Sequence, residues 1–289
     1  MIVKILDVVI AGLLMGGIYA LIAVGLSLQY GVARVFNIAH GEFIMIGAFA
    51  TWVLYSTLGI NPLISALICA PFFFIFGFAI HQTQFKSLLN SSETMDIFES
   101  RSMLAAFGML FILQNIAIMI WGSDIKGYSF LNVGVSIGGA IFAANRLVSL
   151  VYALVIGTVF YLFLTRTRMG KSIRAAAQDP GTAGLMGINI DFVLAICFGF
   201  GAMMAGFAGA LISMCYPIDT AMGMQYTFIA VIVVTLGGLG SIVGSFIGGL
   251  ILGLIGSIVT TIEPSLAVIA YYTIFVLLLL IKPQGLLGK

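Results

Sequence analysis

The chain has 289 residues, of which 62% are hydrophobic and only 8% charged, with a net charge of +2 and a mean hydropathy of +1.21. Soluble domains carry about 25% charged residues, so this composition excludes a water-soluble fold, and no stretch is basic enough to bind nucleic acid. In lipid every backbone amide needs a partner within its own segment or within a closed barrel, and the apolar runs here are continuous over about 20 residues without two-residue alternation, so they read as spanning helices.

In chain order the runs predict spans at 5–30, 41–59, 62–81, 102–121 and 148–165, a polar segment at 166–190, and further spans at 191–214, 225–240, 242–260 and 264–281. The expected fold is therefore an all-α polytopic membrane protein of eight to nine transmembrane or partial helices, forming a single domain over 1–289. The run 225–240 is short and is read as a partial or re-entrant helix. The first run lacks the compact charged region and cleavage site of a signal peptide, so it is read as a retained helix. Arg166, Arg168, Lys171 and Arg174 crowd the segment 166–190, which places that loop in the cytoplasm by the bias of Lys and Arg toward the inside. Counting outward, Arg34, Lys86, Arg101, Lys282 and Lys289 fall inside and Lys4, Lys126 and Arg146 outside, with the N-terminus external and the C-terminus cytoplasmic.

Enzyme signatures fail on inspection. Gly170-Lys171-Ser172 ends like a phosphate-binding loop, but Thr165 stands where its first glycine is needed, so no nucleotide site is expected in this chain. His40 and His81 lie in different spans without metal-ligand spacing, so no metal is expected. Cys69, Cys197 and Cys215 stand apart in apolar sequence and read as buried thiols.

Polar residues within the apolar runs say more, because a charge near the bilayer centre costs about 2.5–3.5 kcal/mol on insertion scales. Asn37, His40 and Glu42 form a polar cluster between the first two runs, behind Gln29 and Tyr30, with Arg34 placed to pair with Glu42. Two roles are open for it: capping helix ends, or lining a pathway or gate. Gln114 and Asn115 are expected to hydrogen-bond between helices. Gly240, Gly244 and Gly248 fall four apart, a spacing that lets a second helix approach closely. Gly237-Gly238 is the alternative site of a hinge or half-helix break.

Within 166–190, Pro180 lacks a donor and pushes Asp179 out of helical geometry, so two short helices are expected. Leu185, Met186 and Ile188 would then form an apolar knob flanked by basic residues. Such a knob suits insertion into a groove on a soluble partner, or else an amphipathic segment lying on lipid.

Several motifs together carry a resemblance. Gly25-Leu-Ser-Leu-Gln-Tyr-Gly31, Asn37-x-Ala-His-Gly-Glu42 with Gly47-Ala48, Arg174-Ala-x-Ala-Gln-Asp-Pro180 with Leu185-Met-Gly-Ile-Asn189, Thr235-Leu-Gly-Gly-Leu-Gly-Ser-Ile-Val-Gly244 and Lys282-Pro-Gln-Gly-Leu286 occur in this order. The chain thereby resembles the branched-chain amino acid permease family of ABC importers, in its shorter LivH-type branch. The resemblance implies a multi-pass permease of the bacterial inner membrane that joins a second permease, two cytoplasmic ATPase subunits that bind ATP and Mg, and a periplasmic binding protein. It implies import of leucine, isoleucine and valine, while close relatives carry urea, short amides or other amino acids. It also implies that Arg174, Ala175, Gln178, Asp179, Pro180, Leu185, Met186 and Gly187 couple the permease to the ATPase. Arg174 stands where many importers have glutamate, a departure usual in this branch. An ion-coupled secondary transporter is the competing class, and it would want a charge relay or a midplane cation site that the runs do not supply.

Overall fold

The computed structural model describes residues 2–137, 140–282 and 284–288; Lys289 and the Pro283 of the closing motif lie outside them. The elements are α1 (Ile2–Ala33), α2 (His40–Leu58), α3 (Pro62–Ile80), a π-turn (His81–Phe85) running on into α4 (Lys86–Asn90), α5 (Met95–Trp121), β1 (Gly134–Ile137), β2 (Ala140–Ala143), α6 (Ala144–Arg166), α7 (Arg168–Gln178), α8 (Pro180–Leu185), α9 (Ile190–Cys215), α10 (Met222–Gly237), α11 (Ile242–Ile262), a 3-10 turn (Pro264–Leu266) and α12 (Ala267–Ile281). Among the described residues, eight helical stretches are long and apolar enough to cross a membrane, with Met222–Gly237 as a shorter ninth apolar helix. The all-α, polytopic expectation holds.

Two departures from the expected spans have local causes. Thr94 accepts a bond from the Ile97 amide and so caps α5 one turn or more ahead of its apolar run. The third span continues past His81 because the π-turn carries helical geometry through its polar residues. The antiparallel pairing of β1 with β2, in the connection between α5 and α6, was not anticipated. Asn115 also corrects its expectation: its amide donates to the Phe111 carbonyl of its own helix at 2.8 Å, so no interhelical bond is made there.

The buried centre is α9, which packs against α1, α2 and α3. Four-residue glycine spacing explains how close the helices come. On α1, a Cβ at Gly12 would stand 2.7 Å from Leu254 Cα and one at Gly16 2.8 Å from Leu250 Cα, both on α11. Lipid supplies no hydrophobic drive between helices, so this backbone-to-backbone dispersion contact is what holds the pair. The expected stripe is split, however. Gly240 sits in the α10–α11 turn with φ +80° rather than on the helix. Gly244 and Gly248 meet Gly237 on α10, whereas Gly249 and Gly253 meet Ala20 and Gly16 on α1, so α11 offers glycine to two neighbours. Gly253→Leu is expected to lower the thermal midpoint of the detergent-purified protein markedly, since overpacking costs about 1–3 kcal/mol even where the surroundings yield and the opposing Gly16 and Gly12 atoms are backbone.

At 16 residues, α10 is about 24 Å long, too short for a hydrocarbon core of about 30 Å. It stops at Gly238, whose φ of +105° suits glycine. The chain's end closes this break: Leu286 and Leu287 amides donate to the Leu236 and Gly237 carbonyls at 2.8 and 3.0 Å. The short-helix expectation is met, and α10 ends at the Gly237–Gly238 step.

Tertiary contacts define two ends of the bundle. Arg34–Glu99 at 3.8 Å and Lys86–Asp191 at 3.0 Å join the ends of α1, α4, α5 and α9 on one face. At the other, Tyr55 donates to the Ser129 carbonyl and Lys126 pairs with Ile218. By helix direction Arg34, Lys86, Arg101, Arg166, Arg168, Lys171, Arg174 and Lys282 gather at the first face, and Lys126 and Arg146 at the second. We refer to these as the basic face and the hairpin face.

Candidate functional site

The segment 166–190 forms a rigid elbow on the basic face. Thr167 donates its hydroxyl to the Phe163 carbonyl at 2.7 Å and accepts from the Gly170 amide at 3.0 Å, which turns the chain back on itself at the end of α6. Gly170 lies against the Leu164 backbone, where no side chain fits. Ile173 and Ala176 are buried, so α7 is amphipathic and seated on the bundle.

Asp179 breaks the helix as expected and caps the next one. Its Oδ1 accepts from the Gly181 and Thr182 amides at 2.9 and 3.1 Å, and the Thr182 hydroxyl donates to Oδ2. Pro180 occupies the first helical position, where its missing N–H costs nothing. Beyond Leu185 the chain reverses at Gly187, with φ +84°, and the Asn189 side chain accepts from the Phe192 amide to open α9. Leu185 and Met186 are 88% and 79% exposed. Ile188, expected with them, packs instead against the core, so the apolar tip is a Leu-Met pair. Ala175 is half-buried, and Arg174 and Gln178 flank a cavity on the basic face rather than the tip.

The Thr182 hydroxyl, followed by the amide bonds, holds the Asp179 carboxyl below the usual carboxylate range. These bonds stabilise the folded elbow above that range, and the contribution is lost as pH falls through the lowered value. Asp179→Ala is expected to make the elbow as protease-sensitive at neutral pH as the unaltered protein becomes in acid, with limited proteolysis and mass mapping of residues 179–187 as the check.

The second cluster is fully internal. Asn37 donates to Gln29 Oε1 at 3.1 Å, Gln29 donates to the Phe198 carbonyl at 3.3 Å, and His40 places Nδ1 3.2 Å from Gln29 Oε1 and Nε2 3.1 Å from the Ile22 carbonyl. Both neighbours of the ring are acceptors, so a neutral imidazole donates to one at a time. Gln29, Asn37, His40 and Glu42 are at most 1% exposed. Glu42 does not pair with Arg34, which reaches Glu99 instead. Its carboxyl has no hydrogen-bond partner and lies against Gly223 at the start of α10. Beside it Thr227 accepts from the Gly41 amide at 2.8 Å, locking α2 to α10.

A cavity of about 360 Å³ lies toward the hairpin face among α1, α6, α10, α11 and α12. Leu14, Ile18, Ile229 and Ile232 give it aliphatic walls, while Tyr19, Tyr271, Arg146 and Gln225 supply polar groups. Tyr19 and Tyr271 meet edge to face at 6.3 Å, and Arg146 stands over the Tyr216 ring at 5.4 Å. None of Asn37, His40 and Glu42 lines it. The cavity residues escape a reading of the sequence; the only signal was tyrosines interrupting apolar runs.

Residues 8–282 match the family described as branched-chain amino acid transport system, permease component. This chain belongs to that permease family. The high-affinity branched-chain amino acid transport system permease protein LivH of Salmonella typhimurium is 30% identical to it, over 96% of this chain and 94% of the relative. The permease protein BraD of Pseudomonas aeruginosa is 29% identical over 98% and 96%. The solved structure of PsaBC from Streptococcus pneumoniae in complex with Fab shares the fold, at 11% identity and a TM-score of 0.52 over 95% of this chain and 91% of that one. In this permease the family-like motifs divide by depth: those of α1 and α2 are core, and those of α7 and α8 reach the surface.

Proposed function

We propose that this permease forms one half of the membrane pathway of an ATP-driven importer for branched-chain amino acids in the bacterial inner membrane. The observation that carries the reading is the elbow: a chain of this family presents an exposed Leu185-Met186 pair on two capped helices seated firmly on the bundle. A soluble motor that grips such a tip can move the helices behind it, because α7 is packed on the bundle through Ile173 and Ala176 and Lys86–Asp191 ties the start of α9 to α4. ATP and Mg then belong to two partner ATPase subunits, and a second permease completes the pathway. The basic face is cytoplasmic on this reading, and a binding protein delivers substrate to the hairpin face. The cavity there suits a zwitterion with an aliphatic tail better than urea, since its aliphatic walls would gain nothing from a wholly polar solute.

The test is uptake of labelled leucine into vesicles holding the permease, its partner permease and the ATPases, with the binding protein supplied on the hairpin side. Uptake is expected only with ATP on the basic side, and excess valine is expected to compete where urea does not. Leucine uptake by the lone polypeptide without nucleotide, or cysteine labelling that put residues 185–186 outside, would overturn the reading.

A further inference from the structure

On the basic face a cavity of about 730 Å³ opens among α1, α6, α7 and the α10–α11 turn, with Arg34, Arg174, Gln178 and Ser27 as its polar walls. A second cavity of about 250 Å³ runs deeper along α6 and α11, lined by Val24, Gly157 and Phe246. The two share Tyr161, Ile242 and Val243, so one groove leads from a cationic head to an apolar floor. Val24, Ser27 and Gly31 follow at intervals of three and four, one stripe of α1 leading up to Arg34. Tyr161 and Val243 are 48% and 46% exposed, so the groove opens sideways, toward lipid.

Two cations at the head lack full partners. Arg34 reaches Glu99 only at 3.8 Å, and Arg174 meets no carboxylate within ion-pair distance among the described residues. An occupant that satisfies both, and fills the apolar floor below them, must be anionic and must continue into an apolar tail.

We infer that the groove binds one anionic phospholipid of the leaflet at the basic face. The phosphate lies between Arg34 and Arg174, and an acyl chain follows Val24, Gly157 and Phe246. Basic pockets between membrane helices take anionic headgroups in this way. A free phosphate would leave the floor empty, and an apolar helix from another subunit would leave the arginines unanswered. The inference stands on the membrane-spanning fold alone and is independent of what the permease carries.

The experiment is native mass spectrometry of the detergent-purified importer complex, titrated with phosphatidylglycerol or with phosphatidylcholine of matched chains. Phosphatidylglycerol is expected to be retained at least about 10-fold better. Arg34→Gln with Arg174→Gln should bring it down to the phosphatidylcholine level. Val243→Trp, which blocks the partly exposed floor and leaves both arginines, should lower phosphatidylglycerol retention as far, and it serves alone if the double variant does not assemble. Equal retention of the two lipids overturns the proposal. So does full retention in Val243→Trp, displacement by inorganic phosphate, or a crosslink from position 243 to the second permease in the assembled complex.

Discussion

Exchanging Leu185 and Met186 together for aspartate is expected to abolish leucine uptake while the permease still inserts and folds. Both side chains are almost wholly exposed and contribute nothing to the core. Their apolar surface is therefore available to a partner, and burying each is worth about 1.5–3 kcal/mol. At about 1.4 kcal/mol per factor of ten, the pair weakens docking of the ATPase by about 100-fold or more. The check is co-purification of the ATPase subunits together with vesicle uptake. Gly187→Leu should act through backbone instead, since φ +84° costs an ordinary residue about 1–2 kcal/mol and would turn the tip out of register. Arg174→Glu should likewise uncouple hydrolysis from uptake. Normal uptake by the Leu185–Met186 variant would remove the elbow from the coupling role.

His40→Ala is expected to be the most damaging single change in the core. It removes the one bond that a neutral imidazole donates, to the Gln29 oxygen or to the Ile22 carbonyl, in a position with no access to water. Losing that bond costs about 0.5–1.5 kcal/mol, and the vacated ring volume adds to it. The thermal midpoint should fall steeply and assembly with the second permease should fail. Glu42→Gln keeps the volume and exchanges a buried carboxyl, which lies against the first turn of α10 without a hydrogen-bond partner, for an amide. It should assemble, because the Thr227 bond to Gly41 still holds α2 to α10, but show reduced uptake, as a gating role for this carboxyl requires. If both variants assemble and transport as the parent does, the cluster has neither an assembly nor a gating role.

The spans were legible because a bilayer demands long unbroken apolar runs, and that demand overrides finer detail. Positions where helix geometry runs through polar sequence were not legible: the π-turn at His81–Phe85 and the start of α5 behind Thr94 depend on local bonds rather than hydropathy. The elbow could be read from Asp179-Pro180 and Gly187, residues whose backbone preferences act locally. Ile188 was misassigned because hydrophobicity alone does not say which way a residue on a turn faces. The hairpin-side cavity was invisible for a different reason: Tyr19, Arg146, Gln225 and Tyr271 come from four helices distant in sequence, and only packing brings them together. The glycine spacing in α11 signalled close approach but not to which neighbour, and two of its faces proved to be used.

The seam between residues 236–237 and 286–287 bears on how the protein is made. The carbonyls at the end of α10 wait for amides synthesised 50 residues later. A nascent chain that has delivered α10 and α11 to the translocon still has an open joint at Gly238, which closes only once α12 is released. Biogenesis of the half-helix is therefore tied to completion of translation, and a ribosome stalled within α12 should leave an inserted polypeptide whose α10 remains open to membrane proteases.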